Sequence, residues 1–256
     1  MFSPSSSSWG DAKEMWNCPY SGDLFPKFAE DFKNKDGSLS FSMLSELAAC
    51  HGITIVGGSV PELDNNRLYN TCCVFGPNGT LLAKHRKLHL FDVEKPAPGE
   101  VYFKESDFFT AGNEPTVVDT DVCRIGIGIC HDIRFPELAM LYQARGVELI
   151  CYPSAFNIST GKLFWELEQQ ARAVDNQIYV ATCSPSLNSS GSYEIWGHST
   201  LVGPGGDVVA KLGPEEGVLV AEINLSSIYQ QRRNIPLHTH RRHNVYSLID
   251  VKEQNP

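Results

Sequence analysis

A cysteine lies at the end of an apolar run, where the chain predicts a change from strand to helix. Cys130 closes the run IGIGIC and precedes HDIRFPE, in which Pro136 fits the first turn of a helix. A thiol at such a turn faces backbone N–H groups, which favour the thiolate and can bind a developing oxyanion. The pattern indicates a cysteine nucleophile, although the same spacing also fits a cysteine buried in the core.

A nucleophilic cysteine needs a base, and its immediate neighbours do not supply one. In the run Cys130-His131-Asp132, neighbouring side chains on an extended segment point to opposite faces, so the three groups do not line up head to tail. The partners of such triads are normally distant in sequence. We therefore predict that His131 forms part of a pocket wall and that the base comes from another segment.

Two other segments carry suitable groups. The segment HRKLHLFD places Lys87 after an apolar strand, where a lysine can equally be a solvated strand-end charge. The segment KEMWNCPYSGDLFP places Glu14 beside Trp16 and Tyr20. A carboxylate among aromatic rings can have a raised pKa and act as a base, but alone this is a weak signal.

The elements that must position these groups alternate between strands and helices, which predicts a layered α/β fold. Predicted strands are ITIVGGSV, YNTCCVF, LLAKHRK, CRIGIGIC, VELICYPSAF, IYVATCS and GVLVAEI, with hairpins through GPNGT and STLVGPGGDVVAKL. Predicted helices are LSFSMLSELAACHG, FPELAMLYQARG, KLFWELEQQARAVDNQ and NLSSIYQQRR. No repeat or linker is visible, so we predict one domain over residues 14–256 after a disordered tail over residues 1–13.

Composition narrows the class of partner. The 256 residues carry a formal net charge of −9, which argues against a nucleic-acid partner because phosphate binders need a basic face. No apolar run approaches the roughly 20 residues of a membrane span, so no membrane partner is expected. The eight cysteines form no CxxC pair and lie mostly in apolar segments. Reduced cysteines predict a reducing compartment, most simply the cytosol.

Together these segments resemble the nitrilase superfamily of carbon–nitrogen hydrolases over nearly all of residues 14–250. GICHDIRFPE resembles its nucleophile motif, HRKLHLFD its lysine motif and KEMWNCPYS the end of its glutamate motif. The resemblance implies a catalytic triad of Glu14, Lys87 and Cys130. It adds Glu105 as a second glutamate. It also implies an α-β-β-α sandwich that pairs through helices into a homodimer.

The implied chemistry agrees with these residue types. Glu14 would take the thiol proton and later activate water. Cys130 would attack an amide carbon and expel ammonia, which leaves a thioester. Lys87 and a backbone N–H after Cys130 would hold the oxyanion. The expected partner is a small-molecule amide, and neither a metal nor an organic cofactor is needed.

Within the superfamily the chain resembles the ω-amidase branch most closely, through YPSAFNISTGKLFWELEQQARAVDNQIYVATCSP and WGHST. That branch implies the terminal amides of α-ketoglutaramate and α-ketosuccinamate as substrates. The substrate-binding candidates are Tyr20, His131, Phe156 and Arg172. Arg172 can alternatively pair with a neighbouring acid. The alternative branch, deaminated-glutathione amidase, shares YPSAF and CxDxRFPEL.

The chain departs from the family pattern at its start, where the first strand-helix-strand unit is expected and does not match. We therefore expect Glu14 to lack rigid support and catalysis to be impaired, because a loosely held group loses much of its power. A binding protein that keeps the fold without the activity is the alternative. The run PLHTHRRHNVY holds His238, His240 and His243 without nearby acid or thiol ligands, so we predict no metal site there and expect a subunit interface.

Overall fold

The computed structural model describes residues 13–34, 37–93, 102–187 and 194–252. Its first sheet has three antiparallel strands in the order β1-β2-β3. They are β1 (Ile55–Asp64), β2 (Arg67–Phe75) and β3 (Leu81–Arg86). Asn65 and Asn66 connect β1 to β2 with positive φ angles of 50° and 62°, which asparagine tolerates in tight hairpins. The predicted hairpin between β2 and β3 is confirmed.

The second sheet has six strands in the order β11-β10-β9-β8-β7-β6. They are β6 (Thr116–Asp119), β7 (Arg124–Ile127), β8 (Leu149–Pro153), β9 (Tyr179–Cys183), β10 (Thr200–Val202) and β11 (Val208–Lys211). A small hairpin joins β4 (Asp92–Val93) to β5 (Phe103–Lys104). Strands β7, β8 and β9 run parallel, so the segments that follow them leave the sheet at one edge, where ligands bind in open α/β sheets.

Six helices accompany these strands in the described residues. They are α1 (Phe25–Phe28), α2 (Leu39–His51), α3 (Pro136–Ala144), α4 (Ile158–Asn176), α5 (Ser226–Asn234) and α6 (Leu237–His240). Helix α2 ends at Gly52, whose φ of 60° is the left-handed conformation that glycine adopts readily, as the sequence predicts. Within the described ranges, no helix is both long and apolar enough to cross a lipid bilayer.

Two adjacent cysteines on β2 show how the layers stack. Cys72 is fully buried in the large core that joins the two sheets and reaches α4. Cys73 faces the other way, into a separate core beneath α2 that includes Phe75. Alternate residues of a strand point to opposite faces, so β2 contributes to both cores. The resulting order of helix, sheet, sheet and helices is the predicted α-β-β-α sandwich.

One predicted strand is wrong. The run GVLVAEI, residues 217–223, forms no strand, although all seven residues are described. Its side chains still alternate, because Leu219 and Ile223 pack against the main core while Val218 and Val220 are 84% and 87% exposed. Alternation alone does not make a strand, because a strand needs a neighbour to complete its hydrogen bonds.

Candidate active site

Cys130 lies at the turn where β7 gives way to a 3-10 helix, Cys130–Arg134. It is buried and has a φ of 44°, in a left-handed region that residues with side chains rarely occupy. Asp132 stabilises this turn, since its Oδ2 accepts the backbone N–H of Ile129 at 2.9 Å. The nucleophile candidate is therefore held in a strained and rigid turn.

Asp132 also ties this turn to the segment that carries Lys87. Its carboxylate accepts hydrogen bonds from His85 Nε2 at 3.1 Å and His89 Nδ1 at 2.8 Å. Burial would raise the pKa of Asp132, but these two histidines outweigh it and hold the pKa well below its usual range. The side-chain hydrogen bonds of Asp132 thus come from two histidines that are distant in sequence, in agreement with the rejection of a local triad.

Lys87, Glu14 and Glu105 form a fully buried cage beside Cys130. The Lys87 ammonium lies 2.8 Å from Glu14 Oε1 and 2.8 Å from Glu105 Oε2. Glu105 also accepts the backbone N–H of Phe91 at 2.7 Å and the hydroxyl of Tyr20. Two carboxylates thus share one ammonium group in an environment closed to solvent.

The Glu14 segment is not loose, contrary to expectation. Three hydrogen bonds join it to Ser59 on β1: the Ser59 N–H donates to the carbonyl of Lys13 at 2.8 Å, the Met15 N–H to the Ser59 hydroxyl at 3.1 Å, and the Trp16 N–H to the Ser59 carbonyl at 3.1 Å. Of the tail predicted over residues 1–13, only Lys13 is among the described residues. The backbone on both sides of Glu14 is therefore fixed to the first sheet.

The cage sets the charges around the thiol. Burial, followed by the charge of Glu14, raises the pKa of Cys130 well above its usual value, and Lys87 opposes this. Burial alone would lower the pKa of Lys87, but Glu105 and Glu14 outweigh it and raise that pKa. Burial raises the pKa of Glu105 despite its bonds to Lys87, because Glu14 adds a second negative charge. The thiol therefore keeps its proton until a base removes it, and a carboxylate lies beside it.

A small pocket opens onto Cys130. Three predicted substrate-binding residues line it: Tyr20, His131 and Phe156. Burial and the positive charges of Lys87 and Arg134 lower the pKa of His131 to about 4, so its ring is neutral at pH 7. The neutral His131 ring and the aromatic side chains make most of the wall apolar, which favours a small, largely desolvated ligand.

The fourth candidate, Arg172, does not belong to this pocket. It is 8% exposed and donates to backbone carbonyls, from Nε to Ile133 at 2.7 Å and from Nη2 to Arg134 at 3.2 Å. It therefore supports the turn after the nucleophile through carbonyl groups. Its positive charge also opposes the rise in the pKa of Glu168, a neighbouring acid of the kind expected as its partner. The arginine that does line the pocket is Arg134, together with Thr160 at the start of α4.

Two further groups near the thiol were missed by sequence reasoning. Asn70 on β2 is buried and donates from Nδ2 to Glu14 Oε1 at 2.9 Å. The backbone N–H of Ala155, which follows β8, donates to the Cys130 sulfur and opposes the rise in its pKa. A backbone donor cannot be recognised from the residue type. Asn70, however, is a polar residue within the apolar strand YNTCCVF, and a buried polar side chain needs a hydrogen-bond partner, so the sequence could have indicated it.

Comparison with known proteins agrees with this geometry. The carbon–nitrogen hydrolase family matches residues 13–233, a span that contains every residue of the cage and the pocket. The chain belongs to the carbon–nitrogen hydrolase family. Its relatives include an omega-amidase, chloroplastic, from Arabidopsis thaliana, which is 58% identical over 93% of this chain and 64% of its own length. The Xenopus tropicalis omega-amidase NIT2 is 49% identical over 93% of this chain and 84% of its own length.

Among solved structures, Saccharomyces cerevisiae Nit3, a member of branch 10 of the nitrilase superfamily, is similar to this chain with a TM-score of 0.82 and 43% identity. The match covers 90% of this chain and 81% of Nit3. The predicted membership of the nitrilase superfamily and the resemblance to ω-amidases are therefore confirmed. The chain spans only 64% of the length of the Arabidopsis relative.

Proposed function

We propose that this protein is an ω-amidase, which hydrolyses the terminal amide of small 2-oxo dicarboxylate monoamides such as α-ketoglutaramate and α-ketosuccinamate. The observation that carries the proposal is a thiol beside a buried Glu-Lys-Glu cage, at the base of a small pocket with one guanidinium on its wall. The relatives named omega-amidase support the choice of amide over nitrile.

The reaction takes place in two halves. In the first, Glu14 accepts the Cys130 proton, the sulfur attacks the amide carbon, and Glu14 passes that proton to the departing nitrogen, which leaves as ammonia. In the second, Glu14 accepts a proton from water, the hydroxide adds to the thioester carbon, and the sulfur leaves with its proton restored. Lys87 and the backbone N–H groups beside Cys130 stabilise the oxyanion in both halves, which electrostatic donors do most effectively in a dry site.

Arg134 is the residue we assign to the substrate's carboxylate. Its guanidinium stacks 4.4 Å from the centroid of the Phe164 ring and lies 3.3 Å from Glu168. These contacts hold it in place at the pocket wall, where it lies beside Thr160. A guanidinium recognises a carboxylate through paired hydrogen bonds, so a substrate with a distal carboxylate fits this pocket better than a simple amide.

The test compares ammonia release from α-ketoglutaramate, deaminated glutathione and an uncharged aliphatic amide. We expect α-ketoglutaramate to be preferred, and Arg134→Gln to raise its KM by about 10-fold or more because a charge-assisted hydrogen bond is lost. The uncharged amide should be hydrolysed equally by both forms. Lys162→Gln is the control, since it removes a nearby exposed charge outside the pocket.

Each contrary outcome has a distinct meaning. A preference for deaminated glutathione would replace the proposed substrate with that of the sister branch. Equal effects of Arg134→Gln on charged and uncharged amides would remove Arg134 from carboxylate binding. No ammonia from any of the three amides, with an intact melting transition, would favour a binding protein over an enzyme.

We further propose that the protein forms a homodimer through α4. Leu163, Leu167 and Val174 lie on one face of this helix and are 65%, 62% and 42% exposed. An exposed apolar stripe of this kind marks an interaction site. Light scattering should give the mass of a dimer, and Leu163→Asp should shift it toward that of a monomer; a wild-type monomer would contradict the proposal.

A further inference from the structure

We propose that Asn70 is a positioning residue that selects which oxygen of Glu14 receives the thiol proton. This inference rests on the proposed amide hydrolysis. Asn70 lies on β2, outside the three motifs that mark the cage in the sequence. It is 1% exposed, and its side-chain amide donates to Glu14 Oε1 at 2.9 Å.

Glu14 has two oxygens, and the structure treats them differently. Oε1 accepts from both Lys87 Nζ at 2.8 Å and Asn70 Nδ2 at 2.9 Å. Oε2 is buried and has no hydrogen-bond partner among the described residues. Since Oε1 already accepts from two donors, Oε2 is the oxygen that remains to accept the Cys130 proton during the reaction.

Lys87 alone does not fix this arrangement. Its ammonium is shared with Glu105 and can turn about its own bond, so a single contact to Oε1 leaves the carboxylate free to rotate. The Asn70 amide is planar and has a fixed direction, so a second donor at the same oxygen removes that freedom. A base held in one orientation accepts the proton without first having to rotate, and this positioning raises kcat.

Asn70 also anchors Lys87 through its backbone carbonyl. This contact is separate from the bond that its side chain makes to Glu14. The Lys87 N–H donates to the Asn70 carbonyl at 2.8 Å, which extends the pairing of β2 and β3 by one residue. A change of the Asn70 side chain leaves that backbone bond in place. Side-chain variants therefore test the bond to Glu14 while Lys87 stays where it is.

The chain offers a matched control at the next residue. Thr71 is also 1% exposed, and its hydroxyl donates to Glu62 Oε2 at 2.7 Å on the opposite face of β2. Thr71→Val thus removes one buried donor to one buried glutamate, as a variant of Asn70 does, but away from the thiol. A general loss of strand stability would affect both variants alike.

The experiment measures kcat and KM for amide hydrolysis in Asn70→Leu, Asn70→Asp and Thr71→Val. We expect Asn70→Leu to lower kcat by about 10–100-fold with KM nearly unchanged, because only the geometry of proton transfer is lost. Asn70→Asp keeps the shape but replaces the donor with a negative charge, so its loss should be larger. Thr71→Val should keep both constants. Wild-type kcat in either Asn70 variant, or an equal loss in Thr71→Val, would overturn the proposal.

A second readout keeps this result separate from the identity of the substrate. Iodoacetamide alkylates Cys130 by forming a carbon–sulfur bond as iodide leaves and the thiol proton passes to Glu14. The rate of alkylation at Cys130, followed by peptide mass, should fall in both Asn70 variants and not in Thr71→Val. An unchanged rate would contradict the inference even if the wild type released no ammonia. Failure of the proposed function alone would leave the alkylation difference intact.

Discussion

Strand β2 has a glutamate cluster on each of its faces, and the two clusters differ in their balance of charge. On the face toward α2, Glu62 accepts from Lys84 at 2.5 Å, from Arg86 at 2.8 Å through both oxygens, and from Thr71 at 2.7 Å. On the opposite face, the Glu14 and Glu105 carboxylates share the single ammonium of Lys87. The outer cluster has more cations than buried carboxylates, and the inner one has fewer.

This difference reverses the pKa shift of the same residue type. Burial would raise the pKa of Glu62, but the hydrogen bonds from Arg86, Lys84 and Thr71 outweigh it and lower the pKa. Burial raises the pKa of Glu105, and one lysine divided between two acids does not reverse it. A saturated carboxylate stabilises the fold, whereas an undersaturated pair next to a thiol is poised to accept a proton.

The largest expected difference between the two clusters comes from removing one lysine from each. Lys87→Met should lower turnover by at least about 10²–10³-fold, because the oxyanion and both carboxylates lose their cation. It should also destabilise the fold by about 3–5 kcal/mol, as breaking a buried pair does. Lys84→Met should cost about 1 kcal/mol or less, since Lys84 is partly exposed and Arg86 remains with Glu62.

Ammonia release and urea unfolding measure both effects. Similar losses of turnover in the two lysine variants would show that charge balance does not distinguish the clusters. Wild-type turnover in Lys87→Met would show that Lys87 is not needed for catalysis.

A smaller effect is expected from neutralising one glutamate in each cluster. Glu105→Gln should lower kcat by about 10²-fold through misplacement of Lys87, while Glu62→Gln should leave kcat unchanged. Glu62→Gln should instead cost about 2 kcal/mol of stability at neutral pH, because hydrogen bonds to a charged group are lost.

The contributions of Glu62 and Glu105 to stability should depend on pH with opposite signs. The lowered pKa of Glu62 means that its stabilisation is present above the ordinary glutamate pKa of about 4.3 and is lost as pH falls through the lower folded value. The raised pKa of Glu105 means that its stabilisation is present below about pH 4.3 and is lost as pH rises through the higher folded value. As pH rises from acid to neutral, the free energy of unfolding of Glu62→Gln should therefore fall relative to the wild type. That of Glu105→Gln should rise relative to the wild type. Parallel curves would contradict the comparison.

Local sequence signals predicted the parts of the site that depend on one segment. The turn at Cys130 follows from an apolar run that meets Pro136, and Gly52 marks the end of α2 as expected. The cage at Lys87 follows only from the family resemblance, because no local pattern joins residues 14, 87 and 105.

The errors came from tertiary context. Arg172 and Arg134 are both plausible carboxylate partners in sequence, and only the packing of α4 against the nucleophile turn directs Arg172 to backbone carbonyls and leaves Arg134 at the pocket. Residues 217–223 alternate as a strand does but have no ladder. Asn70 was missed because its role depends on a segment that lies 56 positions away.

We propose that Cys130 is the nucleophile and that the cage beside it serves this thiol. The most direct measurement is ammonia release by Cys130→Ala, with a thermal melt of the same sample. We expect a loss of about 10³-fold or more, as for removal of a nucleophile in other hydrolases, with a melting temperature close to that of the wild type. Retention of about a tenth of the wild-type rate by a folded Cys130→Ala protein would contradict it, because no other group in the pocket is assigned the attack.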